Sequence, residues 1–194
     1  MAVAVSLPQE YGEQRILLHG ISWKDYCVLR ELLDGPRMTY ARGALELMVP
    51  SKEHELWKTN IARLVELFAV VKDVDLYGYG STTFKKEAAE RGCEPDECYV
   101  VGRKMAEYPE IVLEVIHTNP LLNKLAAYAS IGVSEVWVFE NGTFRIHIFD
   151  EDAKSYRQAE RSALLPQLDF VVLARYAIRS DTPQALREFK ATIV

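Results

Sequence analysis

The sequence is poor in cysteine, and what it has is not arranged for cross-linking. Cys27, Cys93 and Cys98 are the three present. An odd count without Cys-x-x-Cys spacing argues against a disulfide framework and against a structural zinc site. The four histidines, His19, His54, His117 and His147, show no zinc-ligand spacing either. Long apolar runs are missing, so no membrane-spanning helix is expected. The start, Met1 to Ser6, has neither a basic segment nor a long hydrophobic stretch. No secretory signal is read there, and a cytoplasmic location is expected. Positive charge is also short: 23 Lys and Arg stand against 28 Asp and Glu, a net charge of −5. That balance does not advertise a nucleic-acid binder, although a local basic rim can surround an acidic centre. Rim candidates are Lys85, Lys86, Arg91, Arg103, Lys104 and Lys124, most of them read as solvated surface charges. No nucleotide-binding glycine loop, dinucleotide fingerprint or Gly-x-Ser-x-Gly elbow is present. Repeats and low-complexity segments are absent.

What the sequence does have is apolar content. With 194 residues, 49% of them hydrophobic, it can build one domain with a good-sized core. The expectation is a single domain over 1–194, with a loose lead-in at 1–20 and a core over about 35–150. Ser22 can cap a helix from Trp23 to about Leu33, stopped by Asp34-Gly35-Pro36. Strands at 39–41 and 44–49 turn at Arg42-Gly43. Ser51 can cap a helix to about Val71 whose stripe is Trp57, Ile61, Leu64, Val65 and Phe68. Strands near 75–79 and 81–84 follow, then a polar loop at 85–94. A helix from Pro120 to Ile131, with Leu121, Leu122, Leu125, Tyr128 and Ala129 on its buried side, ends at Gly132. Strands 134–140 and 143–149 form a hairpin about Asn141-Gly142 with type I′ character. An apolar run at 170–173 and a short helix from about Pro183 close the chain. A mixed sheet flanked by helices, the α/β class, is the natural outcome.

One residue breaks the pattern. Ile111 to Ile116 reads as a fully buried strand, yet Glu114 sits in it. An unpaired buried carboxylate costs several kcal/mol or gives up its charge. It needs a metal, a cation or the lip of a cleft. Upstream, Pro95-Asp96 opens another apolar strand that ends in Tyr99-Val100-Val101. Downstream, Lys124 lies beside the apolar stripe of the next helix and can reach back over the sheet. Two acids and a lysine on strand, strand and helix suit a divalent-metal site that hydrolyses phosphodiesters. His54, three residues before Trp57, should point inward, either as a satisfied core histidine or as part of that site.

These words together resemble a bacterial family of restriction endonuclease-like proteins within the PD-(D/E)xK nuclease superfamily. The matching segments are Gly43-Ala-Leu-Glu-Leu-Met-Val-Pro-Ser51 with His54 behind it, Glu94-Pro95-Asp96, Leu113-Glu114-Val115-Ile116, Lys124-Leu-Ala-Ala-Tyr128, and Gly132-Val-Ser-Glu-Val-Trp137-Val. They span about residues 20 to 175. The resemblance implies a restriction endonuclease-like core and a Mg²⁺-dependent endonuclease acting on DNA, with Mn²⁺ as an alternative ion. It implies Asp96 and Glu114 as metal ligands, completed by the backbone carbonyl of Val115. Glu46, His54 and Tyr128 would be auxiliary. The lysine expected two residues after the second acid is Ile116 here, and Lys124 matches the helix lysine that replaces it. A homodimer is expected, because double-strand cleavage needs two sites and twofold assemblies are common.

The chemistry suits these residue types. Mg²⁺ takes oxygen ligands and needs one or two carboxylates beside a phosphate. A lysine can neutralise charge developing on that phosphate. Each residue has a plainer alternative: Asp96 a turn residue after proline, Glu114 and Lys124 an ion pair between strand and helix, Lys124 a solvated helix residue. The competing function is a catalytically inactive nuclease-like module that binds nucleic acid or a protein partner. A third is a metal-dependent phosphoesterase for small molecules.

Overall fold

The computed structural model describes residues 12–105, 107–120 and 122–194. The elements, in chain order, are β1 (Gln14–His19), α1 (Trp23–Leu32), β2 (Arg37–Ala41), β3 (Ala44–Val49), α2 (Lys52–Val71) and β4 (Leu76–Gly78). Then come β5 (Phe84–Lys86), a 3₁₀ turn (Glu87–Ala89), β6 (Arg91–Cys93), β7 (Glu97–Val101), β8 (Ile111–Ile116) and α3 (Lys124–Ile131). The chain continues with β9 (Glu135–Glu140), β10 (Thr143–Asp150), β11 (Ser155–Ala159), α4 (Phe170–Ala177) and α5 (Thr182–Ile193).

The α/β class holds, with two sheets rather than the single one expected. One sheet has the order β1-β3-β2-β6-β5, the other β11-β10-β9-β8-β7-β4. The larger sheet is mixed, because β8 and β9 run parallel while the other pairs are antiparallel. A parallel pair needs a crossover, and α3 supplies it.

Alternation in the larger sheet sorts its two faces. Leu113, Val115, Trp137, Phe139 and Ile146 belong to the main apolar cluster, which also takes Ile61, Leu64 and Phe68 from α2 and runs on to Phe189 in α5. Val112, Val136 and Val138 belong to a second cluster with Ala127, Tyr128 and Ile131 of α3. Glu114 follows the parity of Val112, so it faces α3.

Helix ends follow the sequence signals closely. Ser22 accepts from Asp25 N while the Asp25 carboxylate returns to Ser22 N, a full capping box. Ser51 accepts from His54 N at 3.1 Å. The hairpin turn has positive φ at both Asn141 (51°) and Gly142 (74°), as a type I′ turn requires.

Four expectations need correcting. The lead-in is a strand from Gln14 to His19, paired along β3, and residues 1–11 lie outside the described residues. The loop at 85–94 holds two short strands, β5 and β6, and the strand placed at 81–84 begins at Phe84 instead. Three-residue strands show too little alternation to be read, whether at the sheet edge like β5 or inside it like β6. Helix α3 starts at Lys124, not Pro120, because Asn123 is the N-cap and accepts from Ala126 N at 3.1 Å. The Leu122 N–H is spent on Glu46 instead of on a helix; Leu121 lies outside the described residues. Finally, the C-terminal part forms β11 and two helices, α4 and α5, where one short helix was expected.

The smaller sheet packs against α1 through a tight contact. A Cβ at Gly92 would stand 2.2 Å from the Tyr26 hydroxyl oxygen. Tyr26 is fully buried and stacked on Tyr40 at 4.9 Å, so it cannot withdraw. Its hydroxyl also has no hydrogen-bond partner among the described residues. Gly92→Ala should therefore destabilise the protein by about 1–3 kcal/mol or more. Tyr26→Phe should be neutral or stabilising by about 1 kcal/mol, since it removes an unsatisfied buried hydroxyl. Urea unfolding of both variants checks this, and a Gly92→Ala protein as stable as wild type would contradict the packing.

Candidate active site

Asp96 and Glu114 come together because β7 and β8 pair antiparallel, with Glu97 opposite Leu113. The register is continued by Asp96 N, which donates to Leu113 O at 3.1 Å. Both acids are buried, at 0% and 3% exposure, so their partners determine their state. Glu114 accepts from Lys124 Nζ at 2.6 Å on one oxygen and from the Tyr128 hydroxyl on the other. Lys124 and Tyr128 are one turn apart on α3, and this spacing delivers both to one carboxylate. The ion pair weighed as the structural alternative is thus present, and it lies inside the candidate site.

Asp96 is held from three sides. Its Oδ1 accepts from Arg37 and from His54 Nε2 at 3.1 Å, and its Oδ2 accepts from Val115 N at 2.6 Å. Arg37 also reaches Glu55 at 2.9 Å. His54 donates from its other ring nitrogen, Nδ1, to Glu13 at 2.9 Å. Glu13 in turn holds Thr118 and Arg15, and Arg15 pairs with Glu46. Glu46 then accepts from Leu122 N at 2.8 Å, just ahead of Lys124. A chain of polar contacts thus runs from Asp96 through α2, β1 and β3 to the segment that opens α3. Glu114, on the strand beside Asp96, completes it through Lys124.

The electrostatics follow from burial set against these partners. Burial works to raise the Asp96 pKa, but the His54 hydrogen bond and the Arg37 charge prevail and hold it well below the usual carboxylate range. For Glu114 burial prevails over Lys124, helped by the nearby charge of Asp96, and its pKa rises. Burial opposes a charged Lys124, yet Glu114 and Asp96 outweigh it and its pKa is raised, so it is an ammonium at neutral pH. Burial likewise opposes a charged His54, but the hydrogen bonds with Asp96 and Glu13 lift its pKa to about 9. His54 is therefore an imidazolium at neutral pH, consistent with both ring nitrogens donating.

Every site residue read from the sequence lies in this network: Asp96, Glu114, Lys124, Glu46, His54, Tyr128 and, through its N–H, Val115. The reading missed Glu13, Arg15 and Arg37. Arg37 carries no local signal, being one cation at the start of a strand. Glu13 and Arg15 fell in the presumed lead-in. The available clue was charge: buried acids at Glu46, Asp96 and Glu114 demand more cations than Lys124. Of the rim candidates, Lys124 alone joins this network among the described residues. Arg103 pairs with Glu110 and Lys86 caps the Ser130 carbonyl at the end of α3. His147 is half-buried beside the site.

The donors suit a hard cation in type, being carboxylates and carbonyls. Among the described residues, no group of three or more His, Cys, Asp or Glu side chains is placed to hold a metal ion. Two carboxylates nevertheless meet the need of Mg²⁺, which keeps waters and takes its other ligands from a phosphate.

The family model described as Putative restriction endonuclease, Uma2, matches residues 23–175. The chain belongs to this family. The matched segment contains Asp96, Glu114 and Lys124 and leaves out Glu13 and Arg15. Among solved structures, the family member is similar to a protein described as a putative nuclease belonging to DUF820 from Anabaena variabilis ATCC 29413. The two share 11% identity with a TM-score of 0.51, over 87% of this chain and 99% of the other. That likeness is one of fold. No curated protein matches the sequence. Among the described residues, no helix is long and apolar enough to cross a membrane.

Glu13 offers a test of the network. Burial pushes its pKa up, but the bonds from His54 and Thr118 and the charge of Arg15 win and bring it from 4.5 down to about 2. A depressed folded pKa stabilises above the unfolded value and is lost as pH falls through the folded one. Glu13→Gln should therefore cost on the order of 2 kcal/mol at pH 7, discounted for partial solvent screening. The gap from wild type should close progressively below pH 4.5 towards pH 2. Denaturant unfolding across that range measures it, and a pH-independent gap would contradict the assignment.

Proposed function

We propose that this protein is a divalent-metal-dependent endonuclease that hydrolyses DNA phosphodiester bonds. The observation that carries the reading is Glu114. A carboxylate in the middle of an apolar strand is held by a lysine and a tyrosine, with a second buried acid on the neighbouring strand. The family and the nuclease-like fold support the same class.

In this reading Asp96, Glu114 and the Val115 carbonyl hold Mg²⁺, with Mn²⁺ as a substitute. When bound, the ion supplies Lewis-acid polarisation of the phosphate and a more acidic water. The chain's own residues do the rest. Lys124 remains protonated, so it acts as a fixed positive charge and hydrogen-bond donor, not as a general base. Placed beside the phosphate, it offsets the charge that builds on the non-bridging oxygens. Tyr128 fixes the Glu114 carboxylate from the side opposite Lys124. Arg37 and His54 keep Asp96 ionised and oriented, and they balance its charge before substrate arrives. Glu46 positions the segment before Lys124 through Leu122 N, and so sets where the ammonium stands.

A second reading is a nuclease-like module that binds nucleic acid without cutting it. It is favoured by Ile116, which stands where the superfamily carries a lysine. One experiment separates the two: Mg²⁺-dependent cleavage of supercoiled and single-stranded DNA by wild type, Lys124→Ala and Lys124→Arg. Wild type should cleave. Lys124→Ala should keep its fold and metal binding but lose about 100-fold or more in rate. Arginine should rescue poorly, since a planar fork differs in reach from an ammonium. Equal cleavage by Lys124→Ala makes the lysine structural. An inert wild type with either metal hands the function to the binding module. In calorimetry, Asp96→Ala should abolish Mg²⁺ uptake.

A further inference from the structure

Beside Glu114 and Lys124 the larger sheet opens into a cavity of about 290 Å³, whose far wall is Arg145 and His147 of β10. The register explains why they share it. Glu114 stands opposite Val138, and Val138 stands opposite Arg145. Val112, Val136 and His147 form the next row. Residues directly opposite one another share a face. Arg145 and His147 therefore face the same side as Glu114, two strands away, or about 10 Å at the usual strand spacing. Ile116, Val136 and Val138 give the cavity an apolar floor between the two polar walls.

Neither residue is used by the fold in a way that accounts for it. Arg145 pairs with Glu140 through Nη1 at 2.6 Å, and its side chain is 43% exposed. Its Nε and Nη2 make no hydrogen bond among the described residues, so a guanidinium with five donors has most of them to spare. The His147 ring has no hydrogen-bond partner among the described residues, although it is half-buried. Burial, and then the charge of Arg145, hold its pKa below the usual value, so it is a neutral donor at pH 7.

We infer that Arg145 and His147 are a backbone-binding pair, gripping a DNA phosphate next to the one presented to Glu114 and Lys124. The inference rests on the nuclease reading and adds to it where the strand lies: across β8, β9 and β10, over Val138. Arg145 supplies the charge and His147 a single hydrogen bond. They are positioning residues, two strands removed from the reacting phosphate.

The test is binding of a short fluorescent DNA duplex, followed by anisotropy over a series of salt concentrations with Ca²⁺ supplied. Arg145→Gln should bind severalfold more weakly and flatten the plot of log affinity against log salt by about one unit of slope. Arg145→Lys should restore the slope. His147→Ala should weaken binding at unchanged slope. Arg157→Gln is the control: Arg157 stands opposite Ile148 and so lies on the other face of the sheet, where the same charge is removed away from the cavity. It should bind as wild type does. In cleavage, Arg145→Gln should raise KM and leave kcat near wild type. If wild type binds and Arg145→Gln matches it in slope and affinity, or Arg157→Gln weakens equally, the pair is overturned and the nuclease reading stands. If wild type itself binds no DNA, the nucleic-acid reading fails and takes the pair with it.

Discussion

The buried carboxylate of Glu114 is the constraint around which the site is arranged. Leaving such a charge without a partner costs several kcal/mol. Lys124 and Tyr128 meet that cost, and both come from α3, so the helix is committed to one rotation and one height over the sheet. The commitment spreads from there. Lys124 can stand at 2.6 Å only if the segment before it is anchored, and Glu46 anchors it at Leu122 N. Glu46 is itself a buried acid that pairs with Arg15, which Glu13 also holds. Each charge brought out of water calls for another, and the series runs through both sheets.

This arrangement gives the two acids different characters. Asp96, facing Arg37, His54 and a backbone N–H, is an avid carboxylate. Glu114, equally buried but facing an ammonium and a hydroxyl with the charge of Asp96 close by, is held less firmly in its charged form. Environments that push neighbouring titratable groups apart are common where chemistry is done, although structural ion-pair networks produce them as well. The imidazolium of His54 matters here because it lies between Asp96 and Glu13 and serves both. Its position in the first turn of α2 was set by Ser51, whose cap fixes where the helix begins.

Much of this was legible in the sequence, for definite reasons. Glu114 could be found because it breaks a strand of otherwise apolar residues, and Asp96 and Lys124 because they lie at suitable distances on either side. Helices with Ser caps and glycine stops were placed well. The failures share a cause. Gln14–His19 alternates too weakly to show as a strand, and its status depends on β3 lying beside it. β5 and β6 are three residues each, too short for any period. Pro120 suggested a helix start, but the cap that governs is Asn123, and the intervening N–H goes to an acid from another sheet. Arg37, Arg15 and Glu13 reach the site through tertiary placement alone, which no local pattern records.

Strand β1 has a further consequence. The segment that identifies the family begins at Trp23, whereas Glu13 and Arg15 lie before it. A chain trimmed to the matched region would keep Asp96, Glu114 and Lys124, and by that measure would look intact. It would leave the His54 imidazolium with one carboxylate instead of two, Glu46 without Arg15, and the outer edge of β3 bare. The unit that sequence similarity delimits is therefore smaller than the unit that is electrically balanced. For this protein the boundary that matters to the site lies at least ten residues upstream of the one the family signature marks.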